Sequence, residues 1–179
     1  MPRLTVVESD SAADDVKEIY SGLESKMGKV INIFKGMGNS SAALNAYLSM
    51  SGALKQGHLS PDDREVIYLA VSELNGCHYC VSAHTMISQK NGMADGEILA
   101  ARRWESDNEQ HQALLNFVRQ VIDKKGFVSD EELDAVKDAG YTDGQIAETI
   151  AFIGLATYSN LFNHVFDTPL DFPEAPSLS

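Results

Sequence analysis

Apolar residues recur at helical spacing along nearly the whole chain, and this constrains the fold more than any other feature. Val16, Ile19, Tyr20, Leu23 and Met27 stand at i, i+3, i+4, i+7 and i+11, and Gly28 closes that segment. Leu44, Tyr47, Leu48 and Leu54 mark a second helix that stops near Gly57. Ser60 is an N-cap with Pro61 at the first helical position. The helix that follows carries Val66, Ile67, Leu69, Ala70 and Leu74. Asn75-Gly76 interrupts it, and a new helix begins near Cys77 and runs to Asn91-Gly92. A short segment over 97–104 and a longer one over 109–125 come next. Ser129 with Glu132, and Thr142 with Gln145, form capping boxes for two more helices. The last of these runs to about Phe166. The tail, with Pro169, Pro173 and Pro176, is expected to be extended. No segment alternates with period two, so the expected fold class is all-α, a single helical domain over residues 1–179.

A chain of 179 residues suits one domain or at most two small ones, and the absence of a linker rich in Pro, Gly or Ser favours one. At that size folding buries roughly 70% of the unfolded surface, so no staples are needed. Its two cysteines are three residues apart and cannot tie distant parts of a fold together, which argues against a secreted disulfide framework. Met1-Pro2-Arg3-Leu4 opens no apolar signal core, and no apolar run approaches the ~20 residues of a membrane span. The expectation is a soluble, cytoplasmic protein. Net charge is −12, from 26 acidic and 14 basic residues. Sequence-independent nucleic-acid binding needs clustered Lys and Arg, so this balance argues against it. A solvated acidic surface accounts for the charge, and a small or neutral substrate is compatible with it.

The chemistry concentrates in Asn75-Gly76-Cys77-His78-Tyr79-Cys80-Val81-Ser82-Ala83-His84. With about 100° per helical residue, Cys77, Cys80 and His84 share an arc of about 60°. An i, i+3 pair has its Cα atoms roughly 5 Å apart, within reach of a disulfide. A base one turn beyond Cys80 can exchange a proton with it. This is the layout of a dithiol redox centre. Three devices can favour the reactive thiolate: the helix N-terminus near Cys77, His84 on the same face, and Glu65 twelve residues upstream. On one unbroken helix Glu65 sits about 120° from Cys77. A break at Asn75-Gly76 lets the two helices fold over and bring Glu65 alongside, where it can orient a histidine or relay a proton.

Glu65, eleven residues, Cys77, two residues, Cys80, three residues and His84 together resemble the signature of the alkylhydroperoxidase D family, within the wider carboxymuconolactone decarboxylase-like fold. The resemblance is carried by residues 60–104. It implies an antioxidant enzyme that reduces hydroperoxides through a dithiol/disulfide cycle, with no metal, flavin or other cofactor. Carried over, Cys80 is the peroxidatic thiolate, Cys77 resolves its sulfenic acid into a Cys77–Cys80 disulfide, and Glu65 and His84 move protons. The implied partners are a hydroperoxide substrate, a dithiol reductant such as a lipoyl-bearing protein, and further copies of the chain in a homo-oligomer (trimer or hexamer). The chain departs from the pattern at one place. Characterised members have a relay histidine immediately before the second cysteine; here Tyr79 stands there, and His78 one residue earlier, about 100° off the reactive face. Tyrosine can donate a hydrogen bond but is a poor base near neutral pH. Helix-dipole reasoning favours Cys77 as the more acidic thiol, the resemblance favours Cys80, and Cys80 stands nearer His84.

Rival readings use the same residues. Cys77, Cys80 and His84, with Glu65, are ligand types that zinc accepts, though no second CxxC or His pair completes a structural site. A decarboxylase-type enzyme acting on a small lactone or acid shares the fold but generally lacks the CxxC. A non-catalytic redox sensor is the remaining alternative. One internal echo stands out: setting Glu65 on Glu148 sets Cys77 on Asn160 and Cys80 on Asn163. If it is real, Asn160, Asn163 and His164 line the same pocket as the thiols. Surface or capping roles suffice for His58 and His111. The row Leu114, Leu115, Phe117, Val118, Val121 and Ile122 reads as core or subunit interface.

Overall fold

The computed structural model describes residues 1–178, and every regular element among them is an α-helix. In chain order these are α1 (Asp14–Met27), α2 (Asn32–Met37), α3 (Ser41–Leu54), α4 (Pro61–Leu74), α5 (His78–Asn91), α6 (Asp95–Arg102), α7 (Glu109–Asp123), α8 (Asp130–Asp138) and α9 (Asp143–Phe166). The caps read from the sequence are formed. Ser60 Oγ accepts from the Asp63 N–H while Asp63 returns to the Ser60 N–H, with Pro61 opening the helix. Ser129 with Glu132 and Thr142 with Gln145 close in the same reciprocal way.

Helix α2 is absent from the sequence reading. Six residues interrupted by Gly36 are too short to show a helical period. The glycine has a packing role: a Cβ there would stand 2.6 Å from the Phe166 ring, so only glycine lets α2 lie this close to the end of α9. Helix α6 starts at Asp95, two residues earlier than the apolar pattern suggests. Ala94 offers no capping side chain, but Glu97 reaches back to its N–H.

Helix α4 is the axis of the fold. Every residue from Glu65 to Ser72 is buried, and α5, α6, α7 and α9 all pack against it. Its apolar side chains Ile67, Leu69 and Val71 join Leu114, Leu115 and Val118 of α7 and Phe152, Leu155 and Ala156 of α9 in the larger core. A fully buried Leu or Ile here contributes ~1.5–3 kcal/mol relative to exposure. A second cluster gathers Val16 and Tyr20 of α1, Ile33, Phe34 and Met37 of α2, and Leu44 of α3 around Cys77, Tyr79 and Cys80. Tyr47 packs against both clusters. The cysteine pair is thus built into an apolar core and not displayed on a loop.

The tail after α9 turns back across α2, α5 and α6. Asp171 accepts from the Asn32 N–H (2.8 Å) and from the Tyr79 hydroxyl (2.6 Å). Ala175 N–H donates to Ser82 Oγ (3.0 Å), and Arg102 Nη1 donates to the Pro176 carbonyl (2.8 Å). Among the described residues, no helix is long and apolar enough to cross a membrane.

Candidate active site

The break between α4 and α5 builds the site. Asn75 ends α4 in helical conformation, Gly76 takes φ +68°, and Cys77 becomes the N-cap of α5. The left-handed conformation at position 76 costs a residue with a Cβ roughly 1–2 kcal/mol, which is why glycine sits there. Cys77 and Cys80 form a disulfide with Cα atoms 5.3 Å apart. Cys77 is a capping residue and not the first helical one, so its sulfur accepts the Cys80 N–H at 3.2 Å. That places Cys77 in the positive field of the helix N-terminus. Both cysteines are closed off from solvent, at 1% and 4% exposure.

Antiparallel packing of α4 and α5 carries Glu65 to His84. Glu65 Oε2 lies 2.8 Å from His84 Nδ1, and both side chains are largely buried, 9% and 14% exposed. The His84 ring also stacks on Tyr68, with centroids 4.0 Å apart and planes 15° from parallel. Carboxylate on one nitrogen and aromatic face on the ring fix its position and leave Nε2 as the free nitrogen. His84 is one helical turn beyond Cys80 on α5, so the two share a face. Burial, then the Glu65 charge, push the Tyr47 phenol up to about 12. Tyr47 therefore stays neutral near the carboxylate.

Tyr79 is engaged with the segment after α9. Its hydroxyl is committed to Asp171, and its ring meets Phe172 edge-on at 5.2 Å. Burial and that hydrogen bond raise its pKa far above the ordinary value of 10. The residue replacing the histidine thus anchors the tail across the cysteine turn. His78, one residue earlier, is exposed.

Helix α9 contributes a residue that the motif does not contain. Asn163 Nδ2 lies 3.1 Å from Cys80 Sγ and 3.8 Å from Cys77 Sγ, and the side chain is buried. Asn160 is buried one turn earlier, donates to Ser72 Oγ and accepts from Asn75. The internal echo pointed at both asparagines. It also pointed at His164, which is exposed. The echo is not a structural repeat, because α9 runs unbroken where α4 and α5 are separate helices. His58 is on the surface against Glu148 (3.0 Å), and His111 lies 3.5 Å from Asp63; neither is in this site.

No group of three or more His, Cys, Asp or Glu side chains among the described residues is arranged to hold a metal ion. A groove of about 550 Å³ is lined by Gly76, His78, Val81 and Ser82, chain neighbours of the cysteines, and by Arg102 and tail residues 174–178, while Cys77, Cys80, Glu65 and His84 do not line it.

The profile of the Carboxymuconolactone decarboxylase family matches residues 41–122, the stretch from α3 through α7 that contains the whole α4–α5 arrangement. The alkyl hydroperoxide reductase AhpD of Solibacter usitatus is 36% identical over 74 residues, covering 41% of this chain and 41% of that protein. The chain matches only 33–41% of the length of its curated relatives. Solved structures align over far more. The AhpD core of a peroxidase-related protein from Ralstonia eutropha superposes with a TM-score of 0.83 and 24% identity, over 95% of this chain and 92% of that one. The debrominase Bmp8 does so with a TM-score of 0.75 and 20% identity, over 94% and 92%. At these identities the structural likeness speaks for the fold alone.

Proposed function

We propose that this chain, whose residues 41–122 match the carboxymuconolactone decarboxylase family, is an AhpD-like enzyme that carries out thiol-dependent reduction of hydroperoxides. The observation that carries the reading is the buried Cys77–Cys80 pair on the same short helix as a histidine held by Glu65. A carboxylate–histidine pair one turn from a redox-active dithiol is the equipment of thiol proton transfer.

The proposed cycle begins with both cysteines reduced. The Cys80 thiol gives its proton to His84, and the thiolate attacks the terminal oxygen of the hydroperoxide. An S–O bond forms, the O–O bond breaks, and the departing alkoxide leaves as an alcohol with a proton from His84. Cys80 is now a sulfenic acid. The Cys77 sulfur attacks it, the S–O bond breaks, water leaves, and the Cys77–Cys80 disulfide forms. A dithiol reductant then exchanges with the disulfide, returning two thiols and leaving as its own disulfide. A lipoyl group on a partner protein has this chemistry. Glu65 keeps Nδ1 of His84 occupied, so Nε2 does the proton transfer. The groove along Gly76, His78 and Val81 flanks both cysteines in the chain and is the proposed approach for peroxide and reductant.

The proposed assembly is a homo-oligomer. Ile150, Tyr158, Leu161 and Val165 are exposed along α9, an apolar surface suited to contact between copies. Light scattering measures the subunit count.

Substitution tests the assignment. Cys80→Ser should abolish peroxide turnover. Cys77→Ser should stop the cycle after one event, with Cys80 trapped as a sulfenic acid. Full turnover in Cys80→Ser contradicts the assignment.

A further inference from the structure

Both sulfurs are almost wholly buried, and burial disfavours a thiolate. An ionised sulfur here needs hydrogen-bond donors. Among the described residues the structure provides two: the Cys80 N–H, which points at Cys77 Sγ, and Asn163 Nδ2, which is nearer Cys80. The first favours Cys77. The second favours Cys80.

The Asn163 amide is held in one orientation. Thr168 Oγ1 lies 2.6 Å from its Oδ1, and the Thr168 N–H reaches the Asn163 carbonyl at 3.3 Å. Turning the amide over would aim Oδ1 at two disulfide sulfurs that carry no hydrogen to donate. With Oδ1 taken by the Thr168 hydroxyl, Nδ2 faces the sulfurs. The titratable groups on the surrounding elements are His84 on α5, Glu65 on α4, Tyr20 on α1 and Tyr47 on α3 from the same apolar cluster, Tyr79 and Asp171. The first two are paired with each other and the last two are bonded to each other. The buried face of α9 against the cysteines presents Asn160 and Asn163, with His164 turned to solvent.

We propose that Asn163, oriented by Thr168, is the residue that stabilises the Cys80 thiolate and so selects Cys80 over Cys77 as the attacking sulfur. It takes a place in the site that no motif residue fills, Tyr79 being committed to the tail. The neutral amide donates to the ionised sulfur more strongly than to the thiol or the disulfide. Thr168 is a positioning residue, acting only through Asn163. The proposal rests on Cys80 being the attacking thiol, but not on the oxidant being a peroxide.

The test is thiolate absorbance against pH in reduced single-cysteine proteins. In a Cys77→Ser background, Asn163→Ala should raise the midpoint of Cys80 ionisation by about one unit, roughly a tenfold loss of thiolate at a given pH. In a Cys80→Ser background the same change should move Cys77 by less than half as much. Thr168→Val, which leaves Asn163 in place, should shift Cys80 in the same direction by a smaller amount. This variant carries the test if Asn163→Ala does not fold by circular dichroism. An unchanged Cys80 midpoint, or a larger shift at Cys77, overturns the proposal. A shifted midpoint in a protein that consumes no hydroperoxide would remove the peroxidase reading and leave this one standing. Turnover with an unshifted midpoint would do the reverse.

Discussion

Nδ1 of His84 lies 2.8 Å from Oε2 of Glu65, across nineteen residues of chain and the helix break at Asn75-Gly76. The contact exists because α4 and α5 fold over each other about that break, not because the residues are neighbours on one helix. If Glu65 holds the ring with Nε2 free, Glu65→Gln should lower kcat/KM for a hydroperoxide by about 10–100-fold. His84→Ala should lower it by about 10²–10⁴-fold, the usual range for removing a positioned acid–base group. Steady-state kinetics on the two variants and the double variant check this. The double variant should be scarcely worse than His84→Ala, since Glu65 acts through the histidine. Additive losses would mean that Glu65 acts separately.

The Tyr79–Asp171 bond is assigned to holding the tail. Tyr79→Phe should therefore cost about 1 kcal/mol of stability and leave turnover within about twofold. Faster hydrogen exchange over 171–176 should accompany it. The sign with pH follows from the raised phenol pKa. The bond stabilises fully below the ordinary tyrosine value of 10 and weakens only as pH rises toward the folded value. A large loss of turnover in Tyr79→Phe would return the tyrosine to the proton path.

Glu148 pins the loop before α4 onto α9. Its carboxylate accepts the N–H groups of His58 (2.8 Å) and Leu59 (3.0 Å) and pairs with the His58 ring. Burial pushes its pKa up, but these donors outweigh it and hold the carboxyl below the ordinary 4.5. A depressed carboxylate stabilises above its unfolded value and loses that contribution as pH falls through the folded one. Glu148→Ala should thus cost about 2 kcal/mol in urea unfolding near neutral pH, with the difference from the parent shrinking below pH 4.5. A pH-independent difference would contradict the electrostatic account.

Gly76 offers a backbone test of the site. A Cβ there meets nothing within 4 Å, so Gly76→Ala probes the positive φ alone. Expected are about 1 kcal/mol of lost stability and slower reaction of the thiols, because Gly76 sets the direction of Cys77, the N-cap of α5. An unchanged protein would mean that the turn relaxes freely.

Much of this architecture was legible because its signals are local. Ser60-Pro61, Ser129 with Glu132, Thr142 with Gln145, and Asn75-Gly76 each act through chemistry within four residues, and each marks a real boundary. The Glu65–His84 meeting was accessible because a break in a helical pattern implies two packed helices. Contacts without local signals were out of reach. Asp171 meets Tyr79 across 92 residues, and nothing near either announces the other. Asn163 meets Cys80 across 83, and only the faint echo between the two halves hinted at it. Helix α2 escaped because its place depends on the missing side chain of Gly36 and the Phe166 ring beyond it.

The central claim is that Cys77 and Cys80 turn over hydroperoxide through a disulfide. Rapid mixing of the reduced protein with hydrogen peroxide and with an organic hydroperoxide, with thiols counted before and after, tests it most directly. The account predicts fast loss of both thiols to the intramolecular disulfide, far quicker than a free thiol reacts, and full recovery on adding dihydrolipoamide. Loss at the free-thiol rate, with either peroxide, would contradict it.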